Sequence, residues 1–424
     1  MKTIIFVHPI MSVDFIFAQA RKLGYKIFTI TTTLELEHLN HEFLQQHSDF
    51  IINGSSDAAQ DINSIRQVIS DHNLEAVAII NGIDSSLYYT DYLQKQLLGY
   101  PIDLEASKVR LNKYQVNVKL AQLKLKTIPS VEISSKKDLQ TKQALIAELG
   151  LPTVAKPSED TAAMAAFEII SDHDGLNAYL DKYLNQPNPY YYSKTIQKII
   201  LQQYISIKNF EEFVIDFTSF AGKHYCHGIL HYDKELKENT YKISRYHTPY
   251  IVDEIPNIKK VLDYMSACLT ALDVQYGFTH NELFWDKKDT FYLIESNNRI
   301  LGNGCVEAYQ DSYGCNPLEI YINLRNRQVI AKYPNTRKSY AKIMDLYNTS
   351  IPNASSLNVT DIASFKKIIH FRKKQKNAVD FYKQYTRVDN INAAVLLSNS
   401  SQEVLEQDIA TILEREANGT LFIE

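Results

Sequence analysis

Cysteine is scarce and poorly placed for chemistry. The four cysteines, Cys226, Cys268, Cys305 and Cys315, form no CxxC pair. Neither a zinc site nor a disulfide framework is expected, and they read as reduced thiols of a cytoplasmic protein. No run approaches the roughly 18 uninterrupted apolar residues that a membrane helix needs. The apolar stretch Ile4 to Val7 is broken by His8 and Pro9 before it reaches the length of a signal-peptide core. A surplus of positive charge is also missing. With 45 Lys and Arg against 49 Asp and Glu, the formal net charge is −4, so nothing draws the chain to nucleic acid or to an anionic membrane. Any phosphate it binds must be met by a local site. Glycine is sparse, 13 in 424 residues, and no GxGxxG follows the first apolar run, which leaves a dinucleotide reading unsupported.

What is present is an ordinary globular composition, 45% hydrophobic and 22% charged, in a chain long enough for two to four domains or subdomains. The first hundred residues alternate strand and helix signals. Thr3 to Val7 reads as a strand, Val13 to Leu23 as a helix, Lys26 to Thr31 and Ala76 to Ile80 as further strands, with a helix through Leu87, Leu93 and Leu97. That pattern predicts a doubly wound parallel sheet over 1–104, whose ligand edge would hold the turns His8 to Val13 and Gly82 to Ser86 unless these are plain connections. From about Glu105 the pattern becomes α+β. A helix is expected over Val109 to Leu120, and strands over Thr127 to Val131, Thr153 to Pro157, Lys198 to Ile205, Glu212 to Phe220, Lys223 to Leu230 and Thr290 to Glu295. The tail, 333–424, shows strands over Phe365 to Phe371 and Ala393 to Leu397 and a helix over Ser401 to Glu416, a small closing α/β domain after a central one of 105–332.

The strongest chemical signal is the run Tyr292-Leu293-Ile294-Glu295-Ser296-Asn297-Asn298-Arg299 with Gly302 and Gly304 close behind. Side chains alternate along a strand, so Glu295 and Asn297 share a face and Arg299 follows them if the chain stays extended. Two oxygen ligands and a cation suit magnesium held against a polyphosphate. Thirteen residues earlier, His280-Asn281-Glu282 supplies another carboxylate on what reads as the neighbouring antiparallel strand, with Trp285 to Asp289 as the turn. Glu282 and Glu295 would then converge on one cation. The competing reading makes Glu282 a solvated carboxylate at a strand end.

E-x-N-x-R followed by glycine, with a second Glu on the adjacent strand, resembles the metal-binding signature of the ATP-grasp superfamily. Further pieces fall in that family's order: Leu111-Asn112-Lys113-Tyr114, Val154-Ala155-Lys156-Pro157, Leu201-Gln202-Gln203-Tyr204-Ile205 and Glu212-Phe213-Val214-Ile215-Asp216. Within the superfamily, the stretch Val7-His8-Pro9 to Gly24-Tyr25, the helix after Gly82 and Thr279-His280-Asn281-Glu282 look most like the L-amino-acid ligases that make dipeptides.

The resemblance implies a central ATP-grasp domain and a role for each piece. Lys113 and Lys156 would neutralise ATP phosphates. Gln202, with the backbone of Gln203 and Ile205, would hold adenine, and Glu212 the ribose. Glu282, Glu295 and Asn297 would hold Mg2+, with Mn2+ as an alternative, and Arg299 would stabilise the transferring phosphoryl group. Arg245, His247 and Asn303 fall where such ligases place residues that contact or shape the substrate. One departure concerns the loop after Lys156, where the family has glycines and this chain has Ser158-Glu159-Asp160-Thr161-Ala162-Ala163. The Tyr190-Tyr191-Tyr192 loop is a candidate lid. The implied activity is an ADP-forming carboxylate-amine ligation through an acyl phosphate, with amino acids or small peptides as substrates. Neither nucleic acid nor membrane is implied as a partner, and self-association is left open. Two other readings stand beside it: an ATP-grasp ligase of a different pair in a natural-product pathway, and a noncatalytic nucleotide-binding relative.

Overall fold

Strands whose residues are apolar without alternation need cover on both faces, and the first sheet obtains it. In a computed structural model of the chain every residue is described except 34–38, 160–165, 189–193, 207–208, 236–242, 349–350, 352–353 and 372–390. Strands β1 (Lys2–Val7), β2 (Lys26–Thr31), β3 (Phe50–Asn53) and β4 (Glu75–Asn81) are parallel in the order β3-β2-β1-β4. Helices α1 (Val13–Lys22), α2 (His41–His47) and α3 (Ala58–Asp71) connect them, and α4 (Leu87–Leu98) follows β4. Ile4 and Phe6 pack on Ile16 and Phe17 of α1, whereas Ile5 and Val7 pack on Ile65 of α3 and Leu93 of α4. This is the doubly wound arrangement expected. Gly82 is required where the loops after β1 and β4 cross, because a Cβ there would lie 2.3 Å from the His8 carbonyl oxygen.

The single helix expected over Val109 to Leu120 is two, α5 (Leu104–Arg110) and α6 (Lys113–Gln122). The break falls at Asn112, whose side chain caps α6 by accepting from Gln115 N at 2.9 Å. A second, antiparallel sheet follows, made of β5 (Ser130–Ile133), β6 (Thr153–Pro157), β7 (Glu168–Ile170) and β8 (Ile199–Gln203) in the order β5-β8-β6-β7. β5 begins later than the run from Thr127 suggested, after Pro129, which has no N–H to give a ladder. Helices α7 (Asp138–Thr141), α8 (Gln143–Leu149) and α9 (His173–Tyr183) accompany it. Ala155, Ile199 and Leu201 face the core that this sheet makes with Leu176 and Leu180 of α9. By alternation Val154, Lys156, Ile200 and Gln202 face the other way.

The third sheet is the largest. Its first strands are β9 (Glu211–Phe220), β10 (Lys223–Glu235), β11 (Ile243–Pro249), β12 (Tyr276–Trp285) and β13 (Phe291–Asn297). Helices α10 (Ile258–Ala271), α11 (Cys305–Tyr313) and α12 (Pro317–Arg325) pack around it. The tail adds β14 (Tyr340–Tyr347), β15 (Ser356–Leu357), β16 (Phe365–Phe371), β17 (Ile391–Asn399), α13 (Gln402–Ala417) and β18 (Phe422–Ile423). The order β13-β12-β9-β10-β11-β14-β17-β16 shows that the C-terminal segment closes the molecule by extending this sheet, while β15 and β18 pair separately. Val261, Met265 and Leu269 of α10 pack with Phe213, Leu283 and Trp285 on one face near β9 and β12.

A buried ion pair ties α13 to the sheet. A register shift in the β10–β11 ladder leaves Arg245 as the extra residue between Ser244 and Tyr246. Its guanidinium meets both oxygens of Glu416, one at 3.2 Å, and lies 4.8 Å from the Tyr347 ring centroid. Glu416 also accepts from Tyr347 N at 2.6 Å. Removing one partner of a buried pair leaves the other charged and unsolvated. Glu416→Ala is therefore expected to cost about 3 kcal/mol or more in unfolding free energy by chemical denaturation; a loss under about 1 kcal/mol would show that the pair does not hold the tail.

Candidate active site

The site is built on the β12–β13 pair. Glu282 stands directly opposite Glu295, but the next pair is Leu283 with Leu293, so Ile294 is an extra residue on β13. Strict alternation from Leu293, which points into the core, would send Glu295 into the core as well. The bulge re-aims it, and Glu295 lines the same cleft as Glu282, Asn297 and Arg299. Met11, Asp84, Arg110 and Lys113 form other parts of the cleft wall, so both turns expected at the ligand edge of the parallel sheet do reach it.

Two lysines approach the carboxylates from separate elements. Lys113, the first residue of α6, places Nζ 3.1 Å from Glu295 Oε1. Its backbone N–H donates to the Ser158 carbonyl at 2.8 Å, which fastens the start of α6 to the end of β6 and so sets Lys113 beside Lys156. Lys156 is buried. Burial pushes its pKa down, Glu295 opposes that, Lys113 adds to it, and Glu282 and Glu212 also pull it upward. The ammonium therefore sits within the field of all three carboxylates. Glu159, whose charge would repel a phosphate, is bonded within the fold: it accepts from Asn112 Nδ2 at 2.6 Å. The rest of the glycine-free loop, 160–165, and the Tyr190 loop lie outside the described residues.

Gln202 shares the Lys156 face of the small sheet and is 3% exposed, yet its Nε2 has no hydrogen-bond partner among the described residues. A buried amide in that state costs free energy until something bonds it, and an adenine edge would. Gln203 N instead donates to the Pro129 carbonyl at 2.9 Å, so this N–H belongs to the fold. Ile205 lies beyond the end of β8 and is half-buried. Glu212 is buried on β9 between Tyr232 and Phe284 in register.

The donor set fits magnesium with a nucleotide. Among the described residues no group of three or more His, Cys, Asp or Glu side chains forms a metal cage. Two facing carboxylates and an amide are what a magnesium ion takes when phosphates and water complete its octahedron. In the orientation that satisfies its neighbours, the Asn297 amide nitrogen donates to Glu295 Oε1 and Asp84 Oδ2, both at 3.2 Å.

Three residues expected at the substrate do not line this cleft. Arg245 is spent on Glu416. His247 lies on β11, is 6% exposed, sits 3.7 Å from Cys305 Sγ and packs against the Tyr232 ring, a core site. Asn303 is exposed, with φ 54° in the turn before α11.

Sequence reasoning missed two groups. One is Asp84, which accepts from Arg299 Nε at 3.0 Å. The other is a buried chain behind Glu282: Tyr309 Oη donates to Asp216 Oδ2 at 2.8 Å, Asp216 Oδ1 is 3.0 Å from His280 Nδ1, and His280 Nε2 is 3.3 Å from Glu282 Oε1. Gly228 makes room for it, since a Cβ there would fall 2.2 Å from the Tyr309 ring. The signal was available, because His280 and Glu282 are two apart on one strand and so share a face. Burial alone would depress the His280 pKa, but Asp216 and then Glu282 outweigh it and push it up to about 9.

No family model matches the chain, and no curated protein matches it in sequence. Solved structures do. An L-amino acid ligase from Bacillus licheniformis superposes with a TM-score of 0.69 at 18% identity, covering 100% of this chain and 98% of that one. A carboxyaminoimidazole ribonucleotide synthase from Aspergillus clavatus, complexed with ATP, gives 0.67 at 11% identity over 98% and 99%. The biotin carboxylase domain of the Hydrogenobacter thermophilus 2-oxoglutarate carboxylase, complexed with ADP, its magnesium salt and bicarbonate, gives 0.64 at 14% identity over 97% and 89%. At these identities the likeness establishes the fold, and the chain has the ATP-grasp fold that its motifs implied.

The His280 chain predicts a pH dependence. Folded His280 holds its proton to about pH 9 whereas the unfolded value is 6.5, so the folded state binds more protons between these limits. The stability this gives is complete below pH 6.5 and is lost as pH rises through about 9. Melting of the metal-free chain should fall over that window, and His280→Gln should lower the melting temperature at pH 7 and flatten the decline. An unchanged slope in the variant would place the titration elsewhere.

Proposed function

We propose that the chain is an ATP-dependent, ADP-forming ligase that joins a carboxylate to an amine through an acyl phosphate, with amino acids as the substrate class. The observation that carries this reading is the convergence of Glu282, Glu295, Lys113 and Arg299 on one cleft, with Lys156 in the field of the carboxylates. The amino-acid assignment is supported by the match, over nearly the full length of both chains, to the L-amino acid ligase. It is also supported by the Thr279-His280-Asn281-Glu282 motif.

In this reading Gln202 and Glu212 hold the adenosine end of ATP while Lys113 and Lys156 neutralise its phosphates. Glu282, Glu295 and Asn297 would hold Mg2+, or Mn2+ in its place. The bound ion supplies charge neutralisation and fixes the orientation of the phosphates. A carboxylate oxygen of the first substrate attacks the γ-phosphorus and ADP leaves. The amine of the second then attacks the carbonyl carbon; inorganic phosphate leaves with that carboxylate oxygen, and the amine loses a proton. Arg299 lowers the barrier by meeting charge that grows on the transferring phosphoryl group. The cleft must exclude water, which would hydrolyse the acyl phosphate. A cytoplasmic setting fits the four free thiols, and no helix among the described residues is long and apolar enough to cross a membrane.

The test is phosphate release from ATP and Mg2+ against single and paired amino acids, with mass spectrometry of the products. Release that requires a particular pair and yields its condensation product is expected. ATP binding without release for any pair would remove the amino-acid assignment. Arg299→Ala should lower kcat by about 10²- to 10³-fold with ATP affinity changed less than about threefold. An Arg299→Ala enzyme with normal turnover would favour a noncatalytic nucleotide-binding role.

A further inference from the structure

The residue between the metal-site asparagine and the cleft arginine is gripped on three of its polar groups by the preceding part of the chain. Asn298 is 4% exposed. Its N–H donates to Asp84 Oδ1 at 2.5 Å, its carbonyl accepts from Asn81 Nδ2 at 2.8 Å, and its Oδ1 accepts from Arg110 Nη1 at 3.3 Å. Arg110 is itself held by Asp91 of α4 at 2.5 Å. Asp84 does more than anchor Asn298. Its second oxygen accepts from Arg299 Nε at 3.0 Å and from the Asn297 amide at 3.2 Å. One carboxylate thus touches three consecutive residues of the E-x-N-N-R run.

Asp84 is presented by a stiff turn. Ser86 Oγ donates to Asn81 Oδ1 at 2.6 Å and Thr90 Oγ1 to the same oxygen at 3.0 Å, and Gly82 is wedged beneath the His8 carbonyl. An arginine side chain has several rotatable bonds, and a hydrogen bond at Nε fixes the plane of its guanidinium. A transition-state donor is effective only when held within a fraction of an ångström of its productive geometry.

We propose that Asp84 is a positioning residue for Arg299, so that the doubly wound sheet sets the guanidinium plane used in phosphoryl transfer. This rests on the ligase reading above. The two oxygens of Asp84 serve different donors, so an amide at this position would satisfy one and turn its own N–H₂ against the other. Asp84→Asn, which keeps the volume, should therefore lower kcat by at least about tenfold, and Asp84→Ala by about 30- to 100-fold, with the KM for ATP within about threefold.

A binding readout separates this from general damage. Calorimetry with MgADP alone and with MgADP plus fluoroaluminate, a mimic of the transferring phosphoryl group, should show both Asp84 variants weakened far more for the mimic, by at least about tenfold, than for MgADP, within about threefold. The loss in Asp84→Ala/Arg299→Ala should be no greater than in Arg299→Ala, because the two residues act as a unit. Wild-type kcat or mimic affinity in Asp84→Asn, or full additivity in the double variant, overturns the proposal. If the wild-type chain forms no product from any amino-acid pair, the amino-acid assignment falls, and the fluoroaluminate arm still decides whether Asp84 and Arg299 are coupled.

Discussion

Two carboxylates directly opposite each other on neighbouring strands repel, and the arrangement of this protein follows from keeping Glu282 and Glu295 in that position. The bulge at Ile294 brings both to one face. Lys113 pairs with Glu295, His280 contacts Glu282, and Lys156 lies in the field of both. Each cation comes from a different element. The backbone bond between Lys113 and Ser158 and the Asp216 contact to His280 fix their places. A cation with attached phosphates would complete what these positive groups begin, and the same repulsion that costs stability in the free chain would favour such a ligand.

The three sheets divide this task. The central sheet carries the acidic pair, the small sheet carries Lys156 and Gln202 on the face away from its own core, and the parallel sheet carries Asn81 at the carboxyl end of β4 and Asp84 in the turn that follows it. Phe278, Ile300, Val306 and Leu318 join the same apolar cluster as Ile4 and Phe6, which makes the parallel sheet a fixed support for the Asn298 segment. The tail stands further from this chemistry. Its strands extend the central sheet, and Arg245 with Glu416 secures its last long helix.

Features that depend on neighbours in sequence were legible. The apolar runs of β1, β2 and β4 gave the doubly wound sheet, because two-sided burial needs no distant information. The E-x-N-x-R run put Glu295 and Asn297 on one face, because strand alternation is local. The helix break at Asn112 was missed, since the apolar periodicity continues through it and only the cap shows the interruption. Arg245 looked available because Glu416 lies 171 residues away. Asp84 stayed hidden because its partner Arg299 is 215 residues distant. A bulge has no sequence mark of its own, so the convergence of Glu282 and Glu295 could be expected without its cause being visible.

The central claim is that the cleft activates a carboxylate by phosphorylating it. Oxygen-18 tracing tests this most directly: the acid substrate is supplied with labelled carboxylate oxygens, and the phosphate released during condensation is weighed. The account predicts that each phosphate carries one labelled oxygen taken from the carboxylate. Unlabelled phosphate alongside condensed product would contradict it, since the carboxylate would then have been activated by some other route.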